Sequence, residues 1–102
     1  MKKKQWEIGD FIEECHRIAR DRGWWVRERN EGELIALMHS ELSEALEAMR
    51  NHGSKKEVAE ELADCCIRIF DYCGARGIDL EKALLDKIEY NKGRPYRHGK
   101  KF

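Results

Sequence analysis

Apolar residues recur at helical spacing in four stretches of the 102-residue chain, and this pattern predicts four helices. The predicted helices span about residues 5–22, 31–50, 55–75 and 80–92. Turn-forming residues separate them, with Gly23 after the first, Asn51, His52 and Gly53 after the second and Gly77 after the third. No stretch alternates apolar and polar residues as a strand would. The sequence therefore predicts an all-α fold resembling a four-helix bundle, with residues 1–102 forming a single domain.

The third predicted helix is apolar over most of its circumference. Its apolar residues are Val58, Ala59, Leu62, Ala63, Cys65, Cys66, Ile67, Ile69, Phe70, Tyr72 and Cys73. A helix with so wide an apolar surface is buried on most sides, whereas a domain of 102 residues buries a limited share of its surface by itself. We therefore expect oligomerisation to complete the bundle, as a homodimer or a dimer of dimers.

Charge and cysteine content narrow the class of protein. The chain has 20 basic and 20 acidic residues, and this zero net charge argues against a general nucleic-acid-binding surface. Its four cysteines lack a C-x-x-C spacing, which favours free thiols in a reducing compartment. Lys2, Lys3 and Lys4 precede no apolar run, and no stretch reaches transmembrane length. We expect a cytoplasmic protein with neither a membrane nor a nucleic-acid partner.

Two consecutive helices each carry a pair of carboxylates three residues apart. The pairs are Glu41 with Glu44 and Glu61 with Asp64, and residues at this spacing share a helix face. Glu41 also projects into the apolar arc of its helix, which is costly unless the carboxylate is paired, protonated or bound to a metal. A divalent cation with oxygen ligands would compensate four converging acids. The alternative is two solvated acidic faces, because 39% of the residues are charged.

The fourth predicted helix and the tail hold a second group of polar residues. Lys87 and Asn91 fall in the middle of that helix's apolar stripe. Either Lys87 extends past the stripe to solvent, or both side chains reach an acidic, phosphate-bearing site. The basic tail, residues 93–102, is either an unstructured terminus or a source of charge for phosphate oxygens from Arg94, Arg97, Lys100 and Lys101.

Aromatic residues lie between the first and second predicted helices. Trp24 and Trp25 are adjacent there, and His16 borders the apolar stripe of the first helix. Such residues fill a core in most proteins, but an aromatic face is also a surface on which a nucleobase stacks. Both interpretations of these side chains remain open at this point.

With these motifs the chain resembles the MazG-type nucleoside triphosphate pyrophosphohydrolases, an all-α group. That group carries E-x-x-E on one helix and E-x-x-D on the next, and here 16 residues separate Glu44 from Glu61. Lys87 and Asn91 match its K-x-x-x-N motif, and the final R-P-Y-R-H-G-K-K is also similar. The resemblance extends over most of the chain from Gly32 onward. Ser40 departs from the pattern, because many members have a further glutamate there.

The resemblance implies an enzyme that cleaves a nucleoside triphosphate to the monophosphate and pyrophosphate. We expect the substrate to be a deoxynucleotide and the role to be nucleotide-pool housekeeping. It implies Mg²⁺, with Mn²⁺ as a possible substitute, held by Glu41, Glu44, Glu61 and Asp64. Either Glu44 or Glu41 would accept the proton of the attacking water. Lys87 would stabilise charge on the phosphoryl oxygens.

The resemblance also implies the residues that hold the rest of the substrate. The phosphates and sugar would be contacted by Lys87, Asn91, Arg94, Arg97 and Lys100. Relatives that hydrolyse deoxycytidine nucleotides hold the base with a histidine and a tryptophan, and His16 and Trp25 lie at suitable positions.

Other functions remain compatible with the same residues. A phosphoribosyl-ATP pyrophosphohydrolase would share the fold and the metal-binding acids. A non-catalytic helical adaptor would instead dock a basic partner on its acidic strip. A di-iron or di-manganese bundle is less consistent with the sequence, because neither acid pair is followed by the E-x-x-H pattern of such sites.

Overall fold

The computed structural model describes residues 5–102, and this part of the chain is all-helical, without a strand. The elements are α1 (Ile8–Asp21), α2 (Glu31–Arg50), α3 (Lys55–Arg76) and α4 (Leu80–Lys92), followed by a short 3₁₀ turn at Tyr96–Gly99. The four predicted helices are thus confirmed, with ends that differ by at most a few residues. None of these helices has both the length and the apolarity needed to cross a bilayer.

Local side chains define where each helix begins and ends. At the start of α1 the side chains of Glu7 and Asp10 form a capping box, which explains why the helix begins later than predicted. The side chains of Asn30 and Ser54 accept hydrogen bonds from backbone N–H groups at the starts of α2 and α3. Gly77 ends α3 with a left-handed φ of 65°, a conformation that glycine adopts without strain.

Helix α3 is the central element, and α1 and α2 pack against it from two sides. Both run antiparallel to α3. Glu31, at the start of α2, accepts a hydrogen bond from Tyr72 near the end of α3. Gly74 near the end of α3 lies against Ile12 of α1, whereas the earlier Asp64 lines a cavity with the later α1 residue Ala19. The buried residues of the described chain are Leu34, Ala45, Cys65 and Cys73. All four lie on α2 or α3, so the apolar contact between these two helices forms the core.

A close approach of α1 to α3 occurs at Gly74. A Cβ atom at this position would lie 2.6 Å from Cβ of His16 and 3.2 Å from the carbonyl oxygen of Ile12. Real Cβ atoms do not come this near to their neighbours, because interiors are packed at van der Waals distances. Glycine is therefore required for α1 to pack on α3 at this separation.

A single chain leaves much of its apolar surface uncovered. The radius of gyration is 16.4 Å, whereas a compact domain of this length has about 13 Å. No residue of α4 is buried, and Leu84, Leu85 and Ile88 on this helix are exposed. The main contact of α4 within the chain is a small one with α1, where the Gly9 N–H donates to the Glu81 carboxylate at 3.4 Å.

We predict that Gly74→Ala destabilises the protein. Overpacking a helix contact costs about 1–3 kcal/mol, which exceeds the gain of up to about 1 kcal/mol from placing alanine in a helix. Thermal unfolding at matched protein concentration should therefore show a lower melting temperature than wild type. Gly9→Ala on α1 is the matched control, because a Cβ there meets no atom within 4 Å. Equal melting temperatures for the two variants would contradict the close approach.

Candidate metal centre

Three of the four predicted acids converge where α2 faces α3. Glu41, Glu61 and Asp64 each place one carboxylate oxygen within 4.8 Å of the other two. Glu41 and Glu61 are half-buried and Asp64 is exposed. Oxygen ligands from two or three carboxylates are the donor set that Mg²⁺ and Mn²⁺ prefer in proteins. The chemistry of these residues therefore fits a hard divalent cation.

The electrostatics of the same region show repulsion among neighbouring negative charges. Burial raises the pKa of Glu61, and the neighbouring charges of Asp64, Glu44, Glu41 and, least of all, Glu60 raise it further. Glu44 is exposed and lies outside the group of three converging carboxylates, but its effect on Glu61 shows that it is close. Like charges held together disfavour ionisation, and a bound cation would reverse that effect.

One arginine is paired with this cluster of acids. The Arg68 Nε donates to Oε1 of Glu41 at 2.8 Å, and the two side chains are 32% and 15% exposed. The sequence interpretation gave Arg68 no role. Its position seven residues after Glu61 on the same helix was the available signal, because that spacing returns to the same face.

A cavity of about 220 Å³ opens beside the acids, between α1 and α3. Glu41, Asp64 and Arg68 contribute to its wall, and so does the exposed ring of Trp24. The remaining wall is formed mainly by Cys15, Ile18, Ala19, Arg22, Ile67 and Asp71. An apolar chamber that adjoins charged groups can hold a flat organic ring while its charged end reaches the acids.

The predicted base-binding pair lies behind this wall. Oδ1 of Asp71 accepts hydrogen bonds from Nδ1 of His16 at 2.9 Å and from Nε1 of Trp25 at 2.8 Å. The Trp25 ring is also contacted by the guanidinium groups of Arg29 and Arg76, 5.1 and 5.5 Å from its centroid. His16 and Trp25 thus join α1 and the connecting segment to α3. The sequence left both tryptophans open as stacking surfaces and the resemblance selected Trp25 for the base, whereas Trp24 lines the cavity.

The predicted phosphate-binding residues lie apart from the acids in a single chain. Nζ of Lys87 lies 4.8 Å from the Tyr90 ring centroid on the same helix, and the Arg94 guanidinium lies 5.4 Å from that centroid. The other predicted members of this group are Asn91, Arg97 and Lys100. Among residues 5–102, the four charged members of this group form no ion pair with Glu41, Glu44, Glu61 or Asp64, whose ion pair is the one between Glu41 and Arg68. Their helix, α4, packs mainly on α1.

Ser40 and Cys15 add two details to the site. The Ser40 hydroxyl donates to the Leu37 carbonyl at 2.7 Å, so this residue is engaged with its own helix. Burial, and then the charge of Asp71, raise the pKa of the Cys15 thiol on the cavity wall. The thiol is therefore protonated at neutral pH.

Comparison of the chain with models of protein families, with curated proteins and with solved structures found no match.

We predict that Glu61→Gln raises the melting temperature in metal-free buffer near neutral pH. The folded protein holds the Glu61 proton more tightly than the unfolded chain does, because the pKa is raised on folding. Wild-type stability therefore falls as pH rises from the ordinary glutamate range through the raised pKa.

The advantage of Glu61→Gln should disappear below the ordinary glutamate range, where the wild-type side chain is protonated in both states. The control is Glu47→Gln, because Glu47 is an exposed glutamate on α2 that lies 3.9 Å from Arg50, and its charge is not among those that raise the Glu61 pKa. A gain of equal size for both variants, or a gain that persists in acid, would contradict repulsion among the clustered acids.

Proposed function

We propose that this protein is a Mg²⁺-dependent nucleoside triphosphate pyrophosphohydrolase, which cleaves a deoxynucleoside triphosphate to the monophosphate and pyrophosphate. The observation that carries the proposal is the convergence of Glu41, Glu61 and Asp64 beside the cavity. A nucleotide needs both features, because its phosphates bring metal ions and its base needs an apolar slot. The resemblance of the acid pairs to the MazG-type pattern supports the same conclusion.

The acids would divide the chemical work between them. Glu41, Glu61 and Asp64 would hold Mg²⁺, or Mn²⁺ in its place, and Glu44 would complete the site from its edge. When bound, the metal supplies positive charge for the phosphate oxygens and lowers the pKa of a coordinated water. Glu44 would accept the proton of the attacking water, because it is exposed and lies outside the converging group. The water oxygen would form a bond to the α- or β-phosphorus as the α–β anhydride bond breaks, and the two products would leave as the monophosphate and pyrophosphate.

The cavity would receive the base. Its volume of about 220 Å³ suits a single nucleobase with part of its sugar, and the Trp24 ring offers a face on which the base can stack. Trp25 and His16 would support this wall through Asp71. In nucleotide-pool housekeeping, this reaction would remove unwanted triphosphates.

The phosphate-binding residues would come from a second copy of the chain. Helix α4 exposes Leu84, Leu85 and Ile88, and this apolar surface would pack on a partner in a homodimer or a dimer of dimers. Such packing would carry Lys87 and Asn91, followed by Arg94, Arg97 and Lys100, to the acids of that partner. Lys87 would then stabilise charge on the transferred phosphoryl group.

We predict that Glu41→Gln and Asp64→Asn each abolish pyrophosphate release, because each removes a charged metal ligand. The assay screens the common NTPs and dNTPs with Mg²⁺ and scores pyrophosphate separately from orthophosphate. Glu47→Gln on α2 is the matched control, because Glu47 is exposed and its carboxylate lies 3.9 Å from Arg50. Unchanged turnover in the first two variants would contradict the metal assignment.

Selective turnover of phosphoribosyl-ATP would favour that related enzyme, and absence of nucleotide and Mg²⁺ binding would favour an adaptor.

We predict that two inactive variants restore activity when they are combined. In a mixed dimer of Glu41→Gln with Lys87→Ala, a site built across the interface has one complete copy, with the acids of one chain and the lysine of the other. Random mixing should therefore recover about a quarter of wild-type activity. A mixture of each variant with itself is the control. No recovery in demonstrated mixed dimers would show that acids and lysine act within one chain.

A further inference from the structure

Arg68 holds a special position among the charges of the acidic site. Within residues 5–102, it is the basic residue that forms an ion pair with one of the four acids, and its partner Glu41 belongs to the converging group. The contact uses Nε. The two terminal nitrogens make no hydrogen bond in the described part of the chain, and the side chain lines the cavity.

This geometry makes Arg68 a competitor of a divalent cation. A divalent cation on the Glu41 carboxylate withdraws negative charge from the guanidinium, and a positive charge a few ångströms from a divalent ion raises the free energy of the bound state. The Arg68 side chain is 32% exposed, so it has room to move. Its planar set of N–H donors then faces the cavity, where the phosphate oxygens of a nucleotide would adjoin the acids.

We propose that Arg68 is the internal counter-ion of the acidic site: it pairs with Glu41 before loading and transfers to a nucleotide phosphate when metal and nucleotide bind together. This inference rests on the proposed function. Arg68 lowers the affinity for the metal alone and raises the affinity for the nucleotide. The site therefore selects the metal–nucleotide complex over the free ion. Binding of the free metal is weakened because Arg68 must leave Glu41. When a nucleotide binds as well, its phosphate forms a new ion pair with Arg68 and offsets that loss.

The test measures two affinities of Arg68→Gln. Mn²⁺ alone, followed by electron paramagnetic resonance, should bind about tenfold more tightly than to wild type, because one repelling charge is gone from a partly solvated site. A non-hydrolysable α,β-imido deoxynucleotide, titrated calorimetrically at saturating Mn²⁺, should bind about tenfold more weakly. Arg17→Gln is the matched control, because Arg17 pairs with Glu14 and Asp21 on α1, and both affinities should stay at wild-type values.

Arg68→Lys guards against a folding effect of the glutamine variant. Lysine keeps the charge, so its Mn²⁺ affinity should remain within about threefold of wild type, while the loss of the planar donor set weakens nucleotide binding. Parallel weakening of both ligands in Arg68→Gln would overturn the proposal, because it would make Arg68 a residue that orients Glu41. Unchanged affinities would overturn it as well. Absence of Mn²⁺ binding to wild type and Arg17→Gln would instead remove the metal site and the proposed function together.

Discussion

The antiparallel contact between α2 and α3 is the constraint on which the rest of the structure depends. Leu34 and Ala45 on α2 and Cys65 and Cys73 on α3 are buried, and the packing of these two helices holds together carboxylates that would otherwise separate. A fully buried leucine side chain such as that of Leu34 contributes about 1.5–3 kcal/mol. The apolar contact therefore holds together carboxylates whose like charges repel one another.

Asp71 provides the second link, from α3 to α1 and to the segment before α2. One carboxylate oxygen receives both the His16 and the Trp25 hydrogen bond, and the close approach at Gly74 brings α1 near enough for this contact. The cavity lies between the same two helices. Its walls consequently depend on a polar contact and a tight packing contact, whereas the acids depend on apolar burial.

The helices and the meeting of the acids could be predicted from sequence, because both follow from local spacing. Glu44 with Glu61, and Glu41 with Asp64, are symmetric about the turn at residues 51–54, so folding back at that turn brings them side by side. The Arg68–Glu41 pair and the use of Trp24 on the cavity wall depend on side-chain direction and on how α1 packs, which periodicity does not specify. The position of Lys87 could not be predicted for the same reason: α4 has little to pack against in its own chain.

The exposed surface of α4 has a consequence for how sequence changes would be interpreted. In the proposed assembly, Leu85 touches no reacting atom, yet its replacement by a charged residue would withdraw Lys87 from the neighbouring copy. Substitutions that inactivate the protein would then form two clusters when they are mapped onto one subunit, one around the acids and one on α4. A genetic screen would assign these groups to separate sites, although they would belong to one.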